Sequence, residues 1–308
     1  MFDLRYHVAS LAAVFVSLAL GIVIGVAIAS GGEVEKQTAD FVKRDRDELR
    51  VELERLEEQL EQTRLAAQAD AEFVDALYLP VVQGRLAGAR IALVQLGGGD
   101  SGTAEDVEDV LRTAGASGPS LVVELPLAGD EVDAALLADP VLAAYAGEAN
   151  REALGEALGE ELATVGSGPL WVALQGVIAA EVSGVTPDSL DGAAVVRTWD
   201  PTEDGLPDPE SPEVKETDAF LTGLLRGLAS PGIPVVGAER LSDDPSMIPF
   251  FEESDISSVD DVGRSGGNIS LALLLGGATP GHYGAKETAV DGVVPPLPDD
   301  LVLATDGG

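Results

Sequence analysis

The 308-residue chain contains no cysteine, so neither disulfide bonds nor thiolate chemistry can operate in it. Basic residues are also scarce. Against 54 Asp and Glu stand 18 Lys and Arg, a net charge of −36, and only seven of those 18 lie beyond Arg112. Such a surface repels polyphosphate backbones and anionic headgroups, which excludes nucleic-acid binding. Its plain use is solubility in a salty milieu, where screening weakens self-repulsion. Histidine and methionine are limited to His7, His282, Met1 and Met247. Copper(I) prefers thiolate, thioether and imidazole ligands, so the chain has little with which to build a tight centre. No Gly-Lys-Ser/Thr exists for a phosphate-cradling Walker A loop. A Ser-His-Asp triad would have to recruit His282, and catalysis is not expected.

What is present begins near the amino terminus. Val8 to Gly32 runs 25 residues without a charge, and as a helix its first 22 or so would span roughly 33 Å, enough to cross a bilayer. Arg5 precedes the run; Glu33 and Glu35 follow it. Positive charge stays cytoplasmic, so residues 1–32 read as a transmembrane signal anchor with everything beyond Gly32 exported. Ala27-Ile28-Ala29 offers a small-x-small cleavage pattern, yet the run is longer than the apolar region of a cleaved signal. Gly21 and Gly25 form a GxxxG that would let two such helices approach closely.

From Glu33 to Leu79 there is no Pro and no Gly, and Glu, Arg, Leu and Ala dominate. Val42, Leu49, Leu56 and Thr63 repeat at seven, interleaved with Arg46, Leu53, Leu60, Ala67 and Val74. That is the seam of a coiled coil over residues 33–79, with Arg46 as a register-setting break and Leu49, Leu53, Leu56 and Leu60 at its centre. A narrow seam on a helix leaving a membrane predicts a parallel homodimer. Pro80 is expected to end the helix.

Short apolar runs then alternate with helical patterns, which predicts an α/β domain over 88–294 with a parallel sheet covered on both faces, Rossmann-like or flavodoxin-like. Strands are expected at Ala89–Leu96, Leu121–Leu125, Leu170–Leu174, Ala193–Trp199 and from Ile233. Helices are expected at Thr103–Ala114, Glu131–Leu137, Asn150–Val165 and Glu216–Leu228. Asp200 to Glu213 is an acidic, proline-rich loop, and 295–308 reads as a loose tail.

One chemical motif stands out. Gly97, Gly99 and Gly102 satisfy GxGxxG between a predicted strand and a predicted helix, with Glu124 ending the next strand where an acid could meet a ribose hydroxyl. Glycines there let backbone amides approach a pyrophosphate. Asp100 in the middle opposes that charge, so a plain strand-to-helix turn competes with a nucleotide site, and no resident cofactor is expected. His282, in Pro-Gly-His-Tyr-Gly, is the single exported imidazole, either a weak metal ligand or a turn residue.

Three segments carry a resemblance. FDLRYHVASLAAVFVSLALGIVIG (2–25), the heptad stretch, and ISSVDDVGRSGGNISLALLLGGATPGHYG (256–284) resemble the copper transport protein B family of actinobacterial envelope proteins. The resemblance implies a role in copper homeostasis or transport across the envelope. It also implies, through some relatives, a periplasmic partner complex that controls peptidoglycan hydrolysis at division. One spanning helix cannot line a pore alone, so a leash, a dimeric stalk and a rigid head point to a scaffold that meets an envelope protein partner. Ala89–Gly99, Asp200–Glu213 and the glycine-rich Ser258–Gly284 are its candidate surfaces.

Overall fold

In the computed structural model, residues 4–29, 33–97, 102–183, 189–197 and 211–297 are described. The chain divides into two units, Met1–Asp70 and Ala71–Gly308. The first holds helix α1 (Leu4–Ala29) and most of α2 (Glu33–Val82). Within α1, Ser10–Ile28 is long and apolar enough to cross a membrane, and its large side chains, among them Leu11, Phe15 and Ile22, are exposed. On α2, Leu49, Leu53, Leu56 and Leu60 are exposed as well, at 63, 55, 58 and 71%.

Pro80 does not end α2, contrary to expectation: it lies inside the helix, which runs to Val82. A proline so close to the carboxyl end removes one backbone bond from the last turn only. The turn is held by its burial, for Val82 is fully enclosed and Val74, Tyr78 and Val81 pack on the core of the second unit.

That core surrounds seven strands: β1 (Ile91–Leu96), β2 (Ser120–Val123), β3 (Ala179–Ser183), β4 (Gly192–Arg197), β5 (Val235–Ala238), β6 (Ser257–Val259) and β7 (His282–Tyr283). They lie in the order β3-β2-β1-β4-β5-β6-β7. The sheet is mixed where a parallel one is expected, because β3 runs antiparallel to β2. All other neighbours are parallel. Runs such as Ile91–Val94 and Ala193–Val196 are buried throughout, as strands covered on both faces must be.

Helices α4 (Gly129–Leu137), α5 (Arg151–Thr164), α6 (Pro169–Ile178), α7 (Pro212–Ala229) and α8 (Ile248–Glu253) bring buried residues to one face, around Val94, Val195 and Val235. Helices α3 (Gly102–Ala114) and α9 (Ser265–Leu275) cover the other with the end of α2, around Leu93, Val196 and Val236.

The third expected strand is wrong: Leu170–Leu174 lies in α6. Pro169 occupies the first helical position, and the Glu161 carboxylate accepts hydrogen bonds from the amides of Leu170 (3.1 Å) and Trp171 (2.7 Å). An acidic cap supplied by another helix thus satisfies donors that a strand would have paired in the sheet. Leu170, Trp171, Leu174 and Ile178 face inward at helical spacing while Val172 is exposed. The sheet gains β3, β6 and β7 beyond the four expected strands that form.

Helices α5 and α7 meet backbone to backbone. A Cβ added at Gly155 would lie 2.1 Å from the Phe220 carbonyl oxygen, and one at Gly159 2.3 Å from that of Leu224. From the other side, additions at Gly223 and Gly227 would each lie 2.0 Å from the carbonyl oxygens of Glu152 and Glu156.

The sheet's two edges differ. Beyond β7, the His282 amide donates to the Asp291 carboxylate (2.8 Å) and its carbonyl accepts from the Asp291 amide (3.2 Å), which closes that edge. At β3, Glu181, Val182 and Ser183 are exposed.

Candidate functional site

The carboxyl ends of the parallel strands carry the groups able to do chemistry. Successive connections reverse direction between β1 and β4, the switch point at which doubly wound sheets hold ligands. Gly97 leaves β1 with φ +97°, a value that favours glycine, and donates to the Val123 carbonyl (2.9 Å). Gly99 lies outside the described residues. Gly102 opens α3, and the Arg240 guanidinium occupies the space a side chain would take there. Arg240 donates to the Gly102 carbonyl (2.7 Å) and to Asp106 (2.6 Å), while Asp243 accepts from the Arg240 amide (2.8 Å) and the Thr103 hydroxyl (3.1 Å). The amino end of α3 is therefore bridged to the segment after β5, and a pyrophosphate would meet two carboxylates there. Glu124 is exposed beyond β2, its amide donating to the Ile178 carbonyl (2.9 Å).

At the end of β4, Arg197 stacks 4.1 Å over the Phe250 ring and donates to Asp218 (2.6 Å). Its side chain is 7% exposed, and its Nε has no partner among the described residues.

A second constellation occupies the ends of β5, β6 and β7. Glu239 is buried, with Lys286 (2.6 Å) and the Ser246 hydroxyl (2.7 Å) donating to it. Burial pushes its carboxyl up, and the bond from Lys286 opposes the shift. Asp260, fully enclosed, accepts from the amides of Ala285 (2.7 Å) and Lys286 (2.9 Å). Asp261 beside it is buried, its Oδ1 without a partner among the described residues; desolvation first, and then the Asp260 charge, push its carboxyl up to about 6. Three glycines make room: Gly284 at φ +150° against the Asp260 carboxylate, Gly267 against Asp261, and Gly263 at φ +86° against Asp106.

His282 is a strand residue of β7 and not a turn residue. Its Nδ1 meets the Ser258 hydroxyl at 2.8 Å, a pair in which Ser258 is fully buried and His282 half-buried. Among the described residues no group of three or more His, Asp or Glu could hold a metal ion. Contrary to the expectation that no Gly-x-Ser-x-Gly precedes a helix, Gly263-Arg264-Ser265-Gly266-Gly267 satisfies that pattern at the start of α9. Ser265, however, starts α9 six residues past β6, and its hydroxyl bonds Asp75 with no histidine. Within the Ser258–Gly284 stretch, Leu271–Leu275 are buried in the core, while Gly263, Arg264, Gly276, Gly277, Thr279 and Pro280 are exposed. Of the acidic, proline-rich loop, residues 200–210 lie outside the described residues, and Ala89–Gly97 is half-buried or buried.

Sequence reasoning missed Arg151, which is 1% exposed at the floor of an acidic groove of about 720 Å³ lined by Asp130, Glu131, Glu148 and Glu213. Arg151 pairs with Asp133 (2.7 Å) and Glu216 and donates to the Gly129 carbonyl (2.9 Å). Burial lowers its pKa, but the two carboxylates outweigh that and raise it; the bond from Arg151 in turn lowers Asp133. Asp133 and Glu216 lie 18 and 65 residues away in sequence, so no local pattern announces the cluster.

The sequence model of a protein family described as copper transport outer membrane protein, MctB, matches residues 1–295. No curated protein matches the chain.

Proposed function

The chain belongs to the MctB family of copper transport outer membrane proteins, and on that premise we propose that it is a non-enzymatic envelope scaffold. In this reading α1 anchors the chain with its amino terminus in the cytoplasm. The exported α2 pairs with a second copy, and the α/β head presents itself to an envelope partner within copper homeostasis. Copper enters as cargo of the system, not as a resident cofactor.

The observation that carries this is the stripe of Leu49, Leu53, Leu56 and Leu60, each more than half exposed at heptad spacing. Burying such a side chain stabilises by about 1.5–3 kcal/mol, so four per helix outweigh the cost of association. The test is sedimentation equilibrium of the full-length protein in detergent. A dimer is expected, converted to a folded monomer by Leu53→Asp with Leu60→Asp; a monomeric parent protein overturns the stalk.

Two other roles rest on the same parts. An adaptor in the control of peptidoglycan hydrolysis would use the same stalk and head, and predicts a stoichiometric hydrolase-regulating partner after in-cell crosslinking. A nucleotide-responsive head would use the switch point beside Gly97, against the opposition of Asp106 and Asp243 at the Gly102 end of α3. It predicts that an adenine nucleotide raises the head's melting temperature, and no shift across common nucleotides removes it.

A further inference from the structure

Among the described residues strand β3 has one neighbour, β2. The Leu93 and Gly97 amides donate to the carbonyls of Pro119 and Val123, so the odd-numbered residues of β2 turn their backbone groups toward β1. Alternation then turns Ser120 and Val122 toward β3, opposite Ser183 and Glu181. Between those two, Val182 turns its amide and carbonyl outward, and neither has a partner among the described residues. The Val182 side chain, 43% exposed, also lines a partly open cavity of about 40 Å³ walled by Leu121, Leu162, Trp171, Leu190 and Leu228. The lining is almost wholly apolar. One residue thus offers both a free ladder position and a wall of an aliphatic socket beside it.

We propose that the β3 edge is a docking site for an extended, cationic segment of a partner protein, which adds a strand beside Val182 and seats one aliphatic side chain in the adjoining cavity. Main-chain bonds to Val182 supply affinity and the socket supplies selectivity, the division of labour in strand addition. A socket of this size takes a group of Val or Ile dimensions and rejects a charge, which would lose its hydration there. The charge preference follows from exposed Glu181 on the same strand and a chain of net charge −36. The opposite edge cannot serve, because Asp291 closes β7. This inference rests on the scaffold reading, whose own test is oligomeric state.

The test is amide hydrogen exchange of the full-length protein in detergent, with the probe peptide acetyl-Lys-Thr-Lys-Thr-Val-Thr-Lys-Thr-Lys-amide at about 1 mM. Slowing at the Val182 amide by about tenfold or more is expected, with no slowing by the same peptide carrying Asp at its centre or N-methylated along one edge. Val182→Pro, which removes the outward amide together with the valine that walls the socket, should abolish peptide binding. The N-methylated peptide makes the same point without altering the protein. No slowing with Val, Ile or Leu at the centre overturns the proposal. So does protection of Val182 without peptide that grows with protein concentration, since a second copy then holds the edge. A peptide effect on a monomeric protein would sink the stalk and leave the docking site standing.

Discussion

Replacing Gly155 by Ala sets two quantities against each other. Within a helix the change is favourable by about 1 kcal/mol, because alanine loses less backbone entropy on folding. At this position the new methyl would lie 2.1 Å from the Phe220 carbonyl oxygen and 2.7 Å from the Leu224 amide nitrogen. Both atoms are backbone and cannot rotate away, so α5 and α7 must part by about 1 Å to restore ordinary contact. Overpacking of this kind costs about 1–3 kcal/mol at side-chain contacts and falls at the upper end when the obstacle is backbone. The net expectation is a loss of about 2 kcal/mol, or about 4–8 °C for a unit of this size. The same substitution at Gly176, exposed on α6 with nothing within 4 Å, should stabilise by about 0.5–1 kcal/mol. Urea unfolding followed by the fluorescence of buried Trp171 reads both. Stabilisation by Gly155→Ala would refute the account of the helix contact.

Further outcomes follow from the polar clusters. Asp261 has its folded pKa raised from 3.8 to about 6, so its contribution is fully present below about 4 and lost as pH rises through about 6. Asp261→Asn should therefore raise stability at pH 7.5 by on the order of 2–3 kcal/mol and by little at pH 4, read as the difference between two urea titrations. Arg151→Met leaves Asp133 and Glu216 facing each other without their shared cation, and about 3 kcal/mol of stability should go; an unchanged urea midpoint would deny the cluster its role. Copper(I) competition against a chromogenic chelator should give less than about one tightly bound ion per chain, and tight stoichiometric binding would redirect attention to residues outside these clusters.

The strands that sit mid-sheet were legible because Ile91–Leu96 and Ala193–Val196 are continuous apolar runs bounded by turns. Leu170–Leu174 has the same look and is helical. A short apolar run carries no period of its own, and what decides it, the Glu161 carboxylate, belongs to another helix. The two-residue β7 and three-residue β6 are too short for any pattern. The clusters were hidden for a different reason. Arg151, Asp133 and Glu216 come from three helices or their approaches, and Glu239 and Lys286 meet across 47 residues. In so acidic a chain, a buried carboxylate looks like any other. The glycine loop was the reverse case: its motif was plain, and the Arg240–Asp106 pair that bridges its helix could not be foreseen.

The unlike edges of the sheet limit how the molecule can grow. A sheet open at both margins can be extended without end, as fibres are, and a crowded membrane surface favours such growth by raising local concentration. Here one margin is stoppered by Asp291 from within the same chain. Pairing of β3 with the β3 of a second copy therefore leaves no open margin on either sheet, so the sheet itself stops growing at a couple, and any wider order on a bilayer has to come from the stalk.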